Sequence, residues 1–105
     1  MEKINILAKS SGINKKVLEE ICLFAKKYKL DIVYLFGSRA RGDYKLRSDI
    51  DLAITGGNTT DFSLDVNEET STLLEFDIVN LDKNVQDELE QSIKREGKIL
   101  YEKIR

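Results

Sequence analysis

The stretch LFGSRARGDYKLRSDIDLAI, Leu35–Ile54, runs an apolar segment into Gly37-Ser38, crosses a basic loop, and re-enters an apolar segment carrying two aspartates one residue apart. Side chains alternate between the faces of a strand, so Ile50, Leu52 and Ile54 point one way while Asp49, Asp51 and Ala53 point the other. Two like charges on neighbouring same-face positions repel, and each raises the pKa of the other unless a cation lies between them. The plain alternative is that both aspartates face water near a strand end, and the D-x-D pattern by itself favours it.

The surrounding pattern changes the weighting. Asp77 lies in a third apolar run, EFDIVNL, flanked by Phe76 and Ile78. An aspartate within a strand is unfavourable by propensity, and it is rarely buried unless paired or metal-bound. If the two acidic strands are neighbours, three carboxylates converge on one patch. Oxygen ligands of this kind suit Mg²⁺ or Mn²⁺, with substrate phosphates and water completing the octahedron. As a strand-edge residue with no ligand, Asp77 alone would be equally well explained.

Gly37 and Ser38 follow the strand DIVYLF directly. Glycine lets the backbone approach a ligand, and Ser38 is placed to cap a short helix through SRARG, whose N-terminal N–H groups favour phosphate. No Walker-type or G-x-G-x-x-G loop occurs in the chain. Arg39, Arg41, Lys45 and Arg47 offer cations beside a polyphosphate. Each of them, taken singly, is better explained as part of a solvated loop.

The rest of the chain sets limits. Its 105 residues fit a single domain, 1–105, and 41% apolar with 34% charged residues is a globular balance. A net charge of −2 disfavours bulk polyanion binding, so direct contact with nucleic acid is not expected. Without histidine, and with Cys22 as its one cysteine, the chain has no Ser-His-Asp or Cys-His catalysis, no zinc cluster and no internal disulfide. MEKINILAKSSG lacks a signal-peptide pattern and no run reaches bilayer length, so a cytoplasmic protein without a membrane is expected.

Around the central stretch, Gly12 closes a short leader and Asn14 caps a helix over Val17–Tyr28, with Val17, Leu18, Ile21, Cys22, Ala25 and Tyr28 on its apolar face. Between Thr59 and Leu74 no single period prevails, and a helix is expected in the second half. Asn84 is the expected cap of a helix from Val85 to about Glu96, with Val85, Leu89 and Ile93 on one face and Gly97 as the stop. KILYEKI reads as a short last strand or an extended tail. Helices alternating with strands over so short a chain predict an α/β (α+β) fold, a small mixed sheet flanked by helices.

Gly37-Ser38, ten residues, then Asp49-Ile50-Asp51 resembles the G-S-x10-D-x-D signature of the DNA polymerase β-like nucleotidyltransferase superfamily. The fuller string FGSRARG…SDIDLAI resembles its minimal nucleotidyltransferases, often the antitoxin halves of toxin–antitoxin pairs with a helical HEPN ribonuclease. That resemblance implies the polymerase β-like fold, and Asp49, Asp51 and Asp77 as catalytic carboxylates holding two Mg²⁺, with Mn²⁺ as an alternative. It implies nucleotide contacts from Gly37, Ser38, Arg39, Arg41 and Ser48, with ATP or another NTP as donor. It further implies transfer of a nucleoside monophosphate, AMP above all, to a hydroxyl such as a tyrosine of a HEPN toxin, with the chain as antitoxin. The chain lacks an accessory domain for an acceptor, so a second chain is expected to supply that surface, in a hetero-oligomer or homo-oligomer. Two other roles remain open: a non-catalytic antitoxin that masks its partner, and nucleotidylation of a small molecule or RNA end with a partner subunit.

Overall fold

The computed structural model describes residues 2–104. Nine elements follow in order: α1 (Glu2–Ser11), α2 (Lys15–Lys27), β1 (Ile32–Phe36), α3 (Gly37–Arg41), β2 (Ile50–Thr55), α4 (Thr59–Glu69), β3 (Phe76–Asn80), α5 (Asp87–Glu96) and β4 (Lys98–Glu102). The strands form one mixed sheet in the order β3-β2-β1-β4. β1 pairs antiparallel with both β2 and β4, and β2 pairs parallel with β3. The helix α4 makes the crossover that a parallel pair requires. The expected mixed sheet with flanking helices is what the chain forms.

One face of the sheet is apolar for the reason the alternation gave. Val33 and Leu35 of β1 join Ile50, Leu52 and Ile54 of β2, and all five are buried. Val17, Leu18, Ile21 and Ala25 of α2, Ile4 and Leu7 of α1, and Phe62 and Val66 of α4 pack in the same cluster. Asn14 caps α2 as expected, its side chain accepting the Lys16 N–H at 2.8 Å. Ala53, expected on the acidic face, does lie on the face opposite Leu52 but is itself fully buried.

Several expectations are corrected. The leader is a helix, α1, ending where Gly12 takes φ +68 and donates its N–H to Ala8 O. Among the described residues its inner face carries Ile4, Leu7 and half-buried Ala8 with the buried polar Ser11, too short an apolar stripe to declare a period. The helix expected in the second half of 59–74 instead starts at Thr59 and ends at Glu69. There Asn58 accepts the Asp61 N–H at 3.1 Å as its cap, and Phe62 and Val66, four residues apart, point inward. The last helix starts at Asp87, with Gln86 rather than Asn84 as its cap and no side-chain cap bond. Of its expected apolar face Ile93 is buried, while Leu89 remains 38% exposed. The segment KILYE is a strand, on the β1 edge of the sheet. Among the described residues, no helix is long and apolar enough to cross a membrane.

Truncating the Phe62→Ala side chain, at the centre of the α4 contact, should lower stability by about 3–5 kcal/mol in urea titrations. Fully exposed Leu73, changed to Ala, should move it by less than about 0.5 kcal/mol.

Candidate active site

Register brings the acidic residues together. In the antiparallel β1–β2 ladder Phe36 lies opposite Asp51, and in the parallel β2–β3 ladder Asp51 lies opposite Asp77. Cross-strand neighbours sit about 4.8 Å apart, and paired residues share a face, so the Asp51 and Asp77 carboxylates are adjacent. Asp49 falls just before β2, two residues from Asp51, exposed. Asp77 is also exposed, on an edge strand, which removes the objection to an aspartate within an apolar run.

The electrostatics follow from this packing. The Asp51 carboxyl is held above its ordinary value, first by burial, then by the negative charges of Asp77 and Asp49, against a lowering by Arg41. Two carboxylates and one guanidinium therefore act on Asp51 at the C-terminal end of β1.

The Gly-Ser turn is locked to the same aspartate. Gly37 follows Phe36 with φ +73, in the left-handed region that only glycine enters without strain. A Cβ built there would collide with the Asp51 carboxylate. The glycine is thus required by the close approach of backbone to carboxylate as well as by its dihedral angle. The five-residue helix α3 begins at Gly37, with extended Phe36 in the cap position. Ser38 therefore does not cap it, contrary to expectation. Its hydroxyl makes no protein hydrogen bond among the described residues and stands in the first turn, where backbone N–H groups lack helical acceptors.

Arg39 corrects the nucleotide-contact expectation most clearly. It is 2% exposed. Its Nε donates to Ser48 O at 3.0 Å, Nη1 to Ser11 O at 2.9 Å, and Nη2 to Leu46 O at 3.2 Å and Lys45 O at 3.5 Å. The guanidinium also stacks on the Tyr44 ring, 4.9 Å from its centroid. A cation committed to four carbonyls is a brace between α1 and the loop 42–49, not a phosphate ligand. Ser48 serves the same loop, its Oγ accepting the Lys45 N–H at 2.8 Å while its N–H donates to Lys45 O at 3.0 Å. Arg41 is the exception: it is exposed, its Nε lies 3.4 Å from Asp43, and its charge reaches Asp51. Tyr44 escaped the sequence reading because an aromatic in a polar loop carries no periodic signal.

Oxygen-only donors suit a hard divalent cation. Among the described residues no three His, Cys, Asp or Glu side chains close on one point tightly enough to hold a metal alone. The two carboxylates that the ladder does pair, Asp51 and Asp77, are of the type Mg²⁺ takes, one or two protein oxygens with substrate phosphates and water completing its shell. A cavity of about 690 Å³ between α1, α2 and β4 is lined by Cys22, Leu23, Leu100 and Tyr101 and touches none of these carboxylates.

A strand, a Gly-Ser turn and a neighbouring acidic strand in this register define a nucleotidyltransferase site. The chain belongs to the polymerase β nucleotidyltransferase family, whose model, described as "Polymerase beta, Nucleotidyltransferase", matches residues 19–105. It is 32% identical over 98 residues to a candidate protein adenylyltransferase of Methanocaldococcus jannaschii, covering 83% of this chain and 96% of that protein. A toxin–antitoxin crystal structure with AMP-PNP superposes with a TM-score of 0.65 at 24% identity, over 82% of this chain and 73% of the other. A Shewanella oneidensis complex of tri-AMPylated HEPN toxin with MNT antitoxin gives a TM-score of 0.57 at 22% identity, over 83% and 71%. At such identities these structures establish the fold.

Two outcomes are expected. Because the folded-state pKa of Asp51 is raised, its ionisation imposes a penalty on the folded state, and this penalty is absent below the ordinary carboxylate pKa and present in full above the raised one. Asp77→Asn relieves part of this, so its urea midpoint should exceed that of the unaltered chain at pH 7, and the two should converge as pH falls towards about 4. Arg39→Met should cost about 3–5 kcal/mol in the same assay, since it strands buried carbonyls, and Arg39→Lys should not restore the loss.

Proposed function

We propose that this nucleotidyltransferase transfers AMP from ATP to a protein hydroxyl, a tyrosine of a HEPN-type partner, with two Mg²⁺ held among Asp49, Asp51 and Asp77 together with the triphosphate, and so acts as the antitoxin of that partner. The observation that carries the reading is the in-register pairing of Asp51 with Asp77 beside Gly37. A protein that only masks a partner has no use for clustered carboxylates that burden its own folded state. The names of the similar proteins, a candidate protein adenylyltransferase and an MNT antitoxin bound to an AMPylated HEPN toxin, support the choice of acceptor.

Backbone N–H groups of Gly37 and Ser38, with the Ser38 hydroxyl, grip the terminal phosphates of the nucleotide. Arg41 adds positive charge at the same end. When bound, Mg²⁺ supplies charge neutralisation to the triphosphate and lowers the pKa of an attacking hydroxyl. Asp77, exposed on the edge strand, faces incoming acceptors and takes the hydroxyl proton. The acceptor oxygen forms its bond to the α-phosphorus, the bond to the β-phosphate oxygen breaks, and pyrophosphate leaves. Positioning and electrostatics carry most of the rate in such transfers.

Incubation with α-labelled ATP, Mg²⁺ and a HEPN-type protein, the product of the neighbouring gene where that is one, should place label on the partner. Asp49→Asn/Asp51→Asn should reduce transfer by at least about a thousandfold. Partner inhibition that persists in this double variant, with no label transferred by the unaltered chain, would instead identify a masking protein.

A further inference from the structure

The loop 42–49 joins the phosphate turn to the acidic strand and holds its tip outward in an unusual way. Leu46 is 88% exposed, and its neighbours Lys45 and Arg47 are exposed too. Among the described residues, neither cation makes an ion pair. Yet the backbone beneath them is fixed. The buried Arg39 guanidinium holds the carbonyls of Lys45, Leu46 and Ser48, the Ser48 hydroxyl holds the Lys45 N–H, and the Tyr44 ring lies against Gly12. A solvated loop has no need of a buried arginine to display a leucine. A tip already held in one conformation loses little entropy on binding, which favours its use as a contact.

We propose that Lys45-Leu46-Arg47 is the docking tip for the acceptor protein, with Leu46 entering an apolar pocket whose rim carries Asp or Glu side chains that meet Lys45 and Arg47. The tip ends two residues before Asp49 in the chain, at most about 7 Å of backbone, so a protein seated there presents its surface to the carboxylates. Charge complementarity selects an acidic rim, and the aliphatic side chain selects a protein over RNA. Single-stranded bases stack on aromatic rings or arginine planes rather than on leucine, and the net charge of −2 gives polyanions no general attraction.

This inference rests on the protein-acceptor reading above, and its test separates the two. Binding of the HEPN protein and AMP transfer to it are measured separately for the unaltered chain, Leu46→Asp and Leu46→Met, alongside Mg·ATP affinity. The expected result is that Leu46→Asp weakens partner binding, and raises the acceptor KM, by at least about tenfold, as loss of a central anchor does. Leu46→Met should retain binding, and Mg·ATP affinity should stay within about twofold in both variants. Binding without transfer by the unaltered chain, still lost in Leu46→Asp, would overturn the catalytic reading and uphold the docking tip. Equal partner binding by Leu46→Asp and the unaltered chain overturns the docking tip. So does weakened Mg·ATP affinity in that variant, or unaltered chain that fails to bind the HEPN protein while binding single-stranded RNA through Leu46.

Discussion

Asp51 is paired on both sides, with Phe36 across the antiparallel ladder and Asp77 across the parallel one. The first pairing carries the chain past Phe36 into Gly37 directly over the carboxylate; the second sets another carboxylate beside it. A one-residue slip in either ladder would send one of these groups to the opposite face. The slip is prevented by Ile50, Leu52 and Ile54, fully buried on the far side of the same strand. The core thus fixes the site's geometry through the strict twofold alternation of a strand. Hydrophobic burial on one face is converted into positional accuracy on the other.

That accuracy is bought with electrostatic strain. Burial and two neighbouring anions act on Asp51 in the same direction, and Arg41 only partly offsets them. A strand selected for stability alone would carry mixed charges on this face. Catalytic sites commonly hold groups in environments that disfavour their charged form, and such groups await a counter-charge that arrives with the substrate. Here α2 and α4 supply the packing that tolerates the local penalty.

Much of this was legible in the residues. Alternation in SDIDLAIT separated core from site, and the Gly-Ser pair after an apolar run marked the turn. The sequence could not show the register, because pairing partners are distant in the chain. Nor could it separate Arg39 from Arg41: two arginines one residue apart, on a helix of five residues, have opposite fates. One turns inward to backbone carbonyls and the other outward to solvent, a choice made by the loop that folds over them. The first helix was hidden by its brevity, and α4 was misplaced because its decisive signal is an asparagine cap rather than an apolar period.

The bond from Arg39 Nη1 to Ser11 O has a consequence for where this domain begins. The family match starts at residue 19, yet a cation from the heart of the site is anchored eight residues upstream of that point. An excised fragment starting at the family boundary would retain every candidate catalytic side chain and still leave a buried guanidinium short of an acceptor. The boundary of shared ancestry and the boundary of the cooperative unit do not coincide in this molecule, and the N-terminal helix belongs to the machinery it precedes.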